Sequence, residues 1–196
     1  MSTPTEWMKN EYNDLVKKGF DWKPPVIGGP STGRTVIDGK ERIMLCANNY
    51  LSMSNHPKVK QAAIDAVKSH GAGSGSVRPI AGNMDIHNEL EETIARFKNR
   101  EAALYYQTGF AVNSGLIPQL AGKNDAIISD QLNHGSIIDG VRLSGVKREN
   151  RTIYAHNDMG ELEDRLKEAT NKCEKTMVIS DGVFSMDGDI APLDEI

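Results

Sequence analysis

The chain has 196 residues, of which 38% are hydrophobic and 26% charged, a balance typical of a globular protein. Its formal net charge of −4 disfavours nucleic acid as a partner. No apolar run approaches the ~20 residues needed to span a bilayer. Cys46 and Cys173 lie far apart and form no metal-type cluster, so we expect reduced thiols in a cytoplasmic protein without a metal site.

Residues 1–55 predict a small N-terminal piece. A helix over 4–18 ends at Gly19, and a Pro- and Gly-rich arm follows over 19–33. The stretch TVIDGKERIMLCA then predicts a hairpin that turns at Asp38-Gly39. We expect this piece to form part of a small domain.

Residues 56–196 have a different sequence pattern, in which predicted helices alternate with short apolar runs. PKVKQAAIDAVKSHG predicts a helix that begins at Pro57 and ends at Gly71. After a glycine-rich loop and a second helix, strands are predicted at AALYY, AIISD, RTIYA and TMVIS, with helices between them. This alternation predicts an α/β fold with a mostly parallel sheet flanked by helices. The chain stops at APLDEI, so we expect an incomplete, C-terminally truncated domain.

Polar segments follow the predicted strands, where ligands bind in open α/β sheets. They read QTGFAVN, QLNHGS and DGVFSMDGD. The turn at Thr108 and Gly109 could bind a phosphate at a helix N-terminus, although a plain N-cap is the commoner explanation. His134 could stack on a flat ligand, shuttle a proton or simply cap a helix. The acidic residues of DGVFSMDGD favour hydrogen bonds to an organic ligand over a metal site.

Two further segments are candidates for substrate contacts. The loop GAGSGSVRPIAGN carries Arg78, which could clamp an anion or be an ordinary surface residue. Asn48 lies just beyond the hairpin, where its amide could read a carboxylate or stabilise a turn. Spacing does not decide between these alternatives.

Five segments in one order resemble the α-oxoamine synthases, pyridoxal-phosphate (PLP) enzymes of the aspartate-aminotransferase fold, fold type I. They are CANNYLSMSNHP, HGAGSGSVRPIAGNMDIHNELE, YYQTGFAVNSG, IISDQLNHGSIIDGVRL and SDGVFSMDGDIAPL. The resemblance runs from about residue 45 to the end of the chain. It implies a homodimer that condenses an amino acid, glycine or alanine, with an acyl-CoA, using PLP as the cofactor.

The resemblance also implies roles for individual residues. Gly109 and Phe110, with Thr108 beside them, match the turn that holds the cofactor phosphate. His134 matches the histidine that stacks on the pyridine ring, and Ser185 matches the serine near the ring hydroxyl. These two are the predicted catalytic side chains of this chain. Asn48 matches the family's asparagine that faces the substrate. Ser76 and Arg78 lie in the loop that resembles the segment shaping the acyl-CoA side of the site.

The segments CANNYL, SVRPIAG, HNDM and DGVFSMDGDIAPL most resemble those of the glycine C-acetyltransferases. The 8-amino-7-oxononanoate synthases rank second in this resemblance. 5-Aminolevulinate synthase and serine palmitoyltransferase are further branches of the family. A simple aminotransferase is disfavoured by HGAGSGSVRPIAG and FSMDGD. A non-catalytic partner subunit is the alternative from another class, and the intact His134 argues mildly against it.

One family feature does not occur in this sequence. The family's lysine that bonds covalently to the cofactor lies in a segment resembling TxSK, and the chain contains no such segment. None of the lysines that are present is assigned that role. We therefore expect the 196-residue chain to be inactive alone, and the full-length protein to be a PLP-dependent acyltransferase.

Overall fold

The computed structural model describes residues 3–196, which divide into two units. The first unit ends at Met84, and the second spans Asp85–Ile196. The border predicted between residues 55 and 56, with its assignment to a small and a large domain, stays a prediction.

The first unit holds the predicted helix, arm, hairpin and second helix. Its elements are α1 (Glu6–Lys17), β1 (Arg34–Ile37), β2 (Lys40–Ile43) and α2 (Pro57–His70). Gly19 ends α1 with φ +74°, and the next amide, of Phe20, donates to the Leu15 carbonyl at 2.9 Å, as in a Schellman motif. Asp38 and Gly39, with φ of 48° and 75°, form the tight turn between the antiparallel strands β1 and β2. The predicted hairpin is confirmed.

The glycine-rich loop contains a helical turn that the sequence did not predict. Arg78–Gly82 form a single π-helical turn after α2. At the buried Gly82, an added Cβ would overlap the Ser76 carbonyl oxygen. The close backbone approach at this turn therefore requires glycine.

The second unit contains a parallel sheet covered by helices. Its elements are α3 (Asp85–Phe97), α4 (Gly109–Leu120), β3 (Ala126–Asp130), α5 (Gly135–Leu143), β4 (Arg151–Tyr154), α6 (Met159–Thr170) and β5 (Thr176–Ile179). The strands lie in the order β4-β3-β5, and both pairings are parallel. The predicted α/β class with a parallel sheet and flanking helices is confirmed. Within residues 3–196, no helix is long and apolar enough to cross a bilayer.

The central strand β3 is buried on both faces, so its side chains contribute to two separate cores. Ile127 packs with Ile117 of α4 and Ile137 of α5. Ile128 points the other way and packs with Tyr154 and with Leu162 of α6. Adjacent residues of a strand face opposite sides, so one short strand fixes helices on both faces of the sheet.

The strand predicted at AALYY is wrong. Residues 102–106 are irregular, and no strand of the described chain pairs with them. The Tyr105 amide instead donates to the Glu91 carboxylate at 2.8 Å, and the Tyr105 ring stacks on His87 of α3. An apolar run becomes a strand only when a neighbouring strand takes up its backbone groups, and here a helix lies beside it.

Helices α4 and α5 approach each other closely at Gly140. A Cβ built at this position would lie 2.8 Å from Cδ1 of Ile117 and 2.9 Å from the carbonyl carbon of Asn113. Both distances are shorter than van der Waals contact, and one of the two atoms belongs to the backbone. Glycine at 140 therefore sets the spacing of the two helices.

We expect Gly140→Ala to lower the free energy of unfolding by about 1–3 kcal/mol, because α5 must shift away from α4 to admit the methyl group. Urea denaturation measures the change. The matched control is Gly135→Ala in the same helix, where an added Cβ meets no atom within 4 Å. An unchanged stability in Gly140→Ala would contradict the close packing of α4 on α5.

Candidate functional site

The candidate site lies where β3 and β5 end side by side. The buried amide of Asn133 joins the two strand ends: its Nδ2 donates to the Ile179 carbonyl at 2.7 Å, and its Oδ1 accepts from the Asp181 amide at 2.7 Å. The same Nδ2 lies 2.9 Å from the Ser129 hydroxyl oxygen. One side chain therefore fixes the segments that follow both strands.

His134, which follows Asn133, is held at both its backbone and its ring. Its amide donates to the Asp181 carboxylate at 2.7 Å. Its ring Nδ1 accepts from the Ser136 amide at 3.1 Å and lies 2.7 Å from the Ser136 hydroxyl oxygen. A ring nitrogen that accepts an N–H carries no proton, so the imidazole proton lies on Nε2. His134 thus caps α5 and presents a ring of fixed orientation.

The N-terminus of α4 lies beside that of α5. Thr108 caps α4, because its hydroxyl accepts from the Ala111 amide at 3.0 Å. Asn113 of α4 donates from Nδ2 to the Ser136 hydroxyl oxygen at 2.9 Å, which links the two helices. Within residues 3–196, no hydrogen bond uses the amides of Gly109 or Phe110. Two amide donors are therefore available at the positive end of the α4 dipole.

The N-termini of α4 and α5 and the segment after β5 border one cavity of about 270 Å³ at the edge of the sheet. It is lined by Gly109, Phe110, Asn113, His134, Ser136, Asp181, Val183 and Ser185. No lysine or arginine of the described chain lines it, and the carboxylate among its lining residues, Asp181, accepts the His134 amide. The donors that an anion would find here are therefore backbone amides at the start of α4. Polar groups converge here on a small concave surface, as they do in small-molecule sites.

The structure brings most of the predicted cofactor residues together. Gly109, Phe110, His134 and Ser185 line the cavity, while Thr108 caps the helix that begins there. Their contacts to a cofactor stay predictions.

The three predicted substrate residues, Asn48, Ser76 and Arg78, all belong to the first unit. Asn48 is exposed, and Ser76 is half-buried within the glycine-rich loop. Arg78 donates from Nε to Asn83 Oδ1 at 2.9 Å. Their substrate roles stay predictions.

Sequence reasoning missed the side chains that position the site. Asn133 and Ser136 flank His134 in QLNHGS, yet only the histidine was singled out. Their positions in the sequence could have indicated this role, because short polar residues that follow a buried strand commonly form hydrogen bonds to the backbone around them. Their partners at residues 113, 179 and 181 are distant in sequence, so the pairing itself could not be inferred.

Two of the three acidic residues of DGVFSMDGD have partners within the chain, and the third, Asp187, is exposed. Asp181 accepts the His134 amide, and Asp189 lies 2.6 Å from a ring nitrogen of His156. Within residues 3–196, no group of three or more His, Cys, Asp or Glu side chains is arranged to hold a metal ion.

The contribution of the Thr108 cap is measurable. We expect Thr108→Val, which keeps the side-chain shape but removes the acceptor, to lower the free energy of unfolding by about 1 kcal/mol. Thr108→Ser keeps the acceptor and is the matched control. Chemical denaturation of both variants tests this, and equal stability of the valine and serine variants would contradict the cap.

The chain belongs to the aminotransferase class I and II family, whose model matches residues 40–196. Two curated relatives are similar over 97% of this chain, and both are named 8-amino-7-oxononanoate synthase. The protein of Alkaliphilus metalliredigens is 50% identical and that of Thermoanaerobacter pseudethanolicus 52% identical, each over 191 residues. The chain spans about half the length of these relatives, 48% in both cases.

A solved structure is similar in fold as well. Serine palmitoyltransferase from S. paucimobilis, with bound PLP–myriocin aldimine, superposes with a TM-score of 0.85 at 31% identity. The match covers 97% of this chain and 48% of the palmitoyltransferase. Together these relatives confirm the resemblance to the α-oxoamine synthases and the PLP-dependent transferase fold.

Proposed function

We propose that this chain supplies the PLP-binding site of an α-oxoamine synthase, an enzyme that joins an amino acid to an acyl thioester. One observation carries the proposal: the unused amides at the start of α4, the oriented ring of His134 and the hydroxyl of Ser185 border the same cavity. The PLP named for the palmitoyltransferase structure supports the choice of cofactor.

The residues present fit a phosphorylated pyridine. A phosphate monoester would accept from the amides of Gly109 and Phe110, and the α4 dipole would stabilise its negative charge. Since backbone donors and a dipole suffice for one phosphate, the site needs no lysine of the P-loop kind. Phe110 also lines the cavity and is exposed, so its ring is available to cover a bound ligand.

His134 and Ser185 would hold the rest of the ring. The hydrogen bonds from Ser136 fix the His134 imidazole, which therefore offers a flat face without having to be ordered on binding. The Ser185 hydroxyl can donate to, or accept from, the hydroxyl on the pyridine ring. When bound, PLP supplies an electron sink for the negative charge that develops at the Cα of the amino acid.

Among the branches of the family, we propose 8-amino-7-oxononanoate synthase first, with alanine and a pimeloyl thioester as substrates. The two relatives at 50% and 52% identity carry that name. The preference for glycine C-acetyltransferase that followed from motif wording is not confirmed, and this activity becomes the second candidate. The homodimer and the cytoplasmic location stay predictions.

The phosphate contact can be tested at a single atom. Gly109 is the first residue of α4 and follows Thr108 in extended conformation, so proline can replace it without breaking the helix. We expect Gly109→Pro to weaken PLP binding about tenfold or more, because one charge-assisted amide donor is removed. Binding is followed by PLP absorbance or by quenching of protein fluorescence.

Gly109→Ala is the matched control, since it keeps the amide and its Cβ meets no atom within 4 Å. Equal PLP affinities of the proline and alanine variants would contradict phosphate binding at this turn.

Steady-state kinetics of the whole protein tests which branch of the α-oxoamine synthase family it belongs to. We expect kcat/KM for alanine with pimeloyl thioester to exceed that for glycine with acetyl-CoA by about tenfold or more, because a pocket shaped for the alanine methyl gains by filling it. The reverse preference would select glycine C-acetyltransferase. Turnover of an amino acid with 2-oxoglutarate alone would instead identify an aminotransferase.

A further inference from the structure

The loop that carries Ser185 is a short closed structure anchored at its base. An antiparallel bridge joins Val183 to Ile190, and the Phe184 amide donates to the Asp189 carbonyl at 3.0 Å. The Gly188 amide donates to the Phe184 carbonyl at 2.7 Å. Ser185 lies at the cavity side of this loop, so the position of its hydroxyl depends on what holds the loop in place.

His156, just beyond β4, contacts both ends of the loop. Its Nε2 lies 2.6 Å from Asp189 Oδ2, and the buried ring of Phe184 packs edge-on against its imidazole at a centroid distance of 4.4 Å. On its other side, Nδ1 lies 2.9 Å from Oδ1 of Asp130, the last residue of β3. The imidazole therefore connects the Ser185 loop to the central strand of the sheet.

The geometry defines the charge of His156. A carboxylate accepts hydrogen bonds, so a ring with an N–H on each nitrogen satisfies both carboxylate contacts. The Asn157 Nδ2, which lies 3.1 Å from Nε2, can donate to Asp189 instead. Hydrogen bonds to Asp130 and then to Asp189 raise the pKa of His156 above its ordinary value of 6.5, against the lowering effect of its burial. The bridge between two acceptors therefore favours the cationic form of His156.

Asp130 is the buried anion of the cluster, with a side chain that is 0% exposed. Burial raises its pKa, but the amides of Leu132 and Asn157 and the hydrogen bond from His156 outweigh burial, and the net pKa lies below the ordinary value. Asn157 also donates from Nδ2 to Asp189 at 3.1 Å.

Further titratable groups face the cluster from β4 and α6. Burial, and next the charge of Asp130, raise the pKa of the Tyr154 phenol, which stays neutral at physiological pH. Glu161 of α6 accepts the Ala155 amide at 2.8 Å and pairs with Arg165 at 2.9 Å. The charge of Glu161 is thus compensated by its own partner.

We propose that His156 is a positioning residue: bridged between Asp130 and Asp189, it clamps the loop of residues 182–191 and so holds Ser185 at the cavity. The clamp itself follows from contacts within the chain. Its consequence for cofactor binding rests on the function proposed above, because only there does Ser185 touch PLP.

The clamp depends on pH in a defined direction. The pKa of His156 is raised in the folded chain, so its contribution to stability is fully present below the unfolded value of about 6.5. The contribution is lost as the pH rises through the higher folded pKa, where one of the two N–H donors disappears. The loop should therefore loosen on the alkaline side of pH 6.5.

Hydrogen exchange of the chain without cofactor tests the clamp, with the amides of Phe184 and Gly188 as reporters. We expect His156→Gln and Asp189→Asn to lower their protection factors about tenfold at pH 6, as expected for loss of a hydrogen bond to a charged group. Protection in the wild type should fall as the pH rises above 6.5, while both variants should lack this dependence. The ring ¹⁵N shifts of His156 report the cation directly.

Asp187→Asn is the matched control, since Asp187 is an exposed acid in the same loop and should leave protection and its pH profile unchanged. Asp189 is only partly buried, so its variant remains informative if His156→Gln fails to fold. Unchanged protection in Asp189→Asn, or equal loss in Asp187→Asn, would overturn the clamp.

PLP affinity, measured in parallel, separates the two proposals. A loop that loosens in the variants while the wild type binds no PLP would support the clamp and overturn the proposed cofactor. Wild-type binding that weakens in Asp189→Asn but not in Asp187→Asn would support both.

Discussion

The candidate site depends on one buried side-chain amide. Asn133 bonds to the carbonyl of Ile179 and to the amide of Asp181, so the segments after β3 and β5 keep a fixed separation. The Asp181 carboxylate in turn accepts a hydrogen bond from the His134 amide. Without this bridge, two neighbouring strand ends would carry independent loops. With it, they form a rigid rim on which the helix N-termini and polar side chains are arranged.

The proposed phosphate contact relies on backbone groups, because no basic side chain of the described residues lines the cavity. The α4 N-terminus contributes two unused amides and a positive dipole end. Gly140 lets α4 and α5 pack closely enough for Asn113 to reach Ser136, and Ser136 fixes the His134 ring. Tight helix packing, a hydrogen-bond relay and ring orientation are thus parts of one arrangement.

Local features were predictable from the sequence, and features that need distant partners were not. Asp38-Gly39 specified its turn, and AIISD specified a buried strand, because the chemistry of each lies within a few residues. AALYY has the same apolar character as AIISD, yet it lacks a strand beside it and stays irregular. Strand propensity describes a surface that can pair, and pairing is decided elsewhere in the chain.

The same distinction holds for the site. Gly109 and His134 were candidates because they follow predicted strands at helix starts, and the resemblance to the α-oxoamine synthases implied their cofactor roles. The bridge of Asp130, His156 and Asp189 was not identified, because its members come from three segments that only the fold brings together. Asp189 is one of the acidic residues of DGVFSMDGD, and its role depends on His156, a neighbour that its position in the sequence does not indicate.

The central claim is that the cavity at the carboxyl edge of the sheet binds PLP through its phosphate. An NMR titration with PLP, with inorganic phosphate in parallel, tests it most directly. The claim predicts that both ligands shift the amide signals of Gly109 and Phe110, and that only PLP also shifts the ring signals of His134. Shifts confined to other parts of the chain, or no shift at the start of α4 with either ligand, would contradict it.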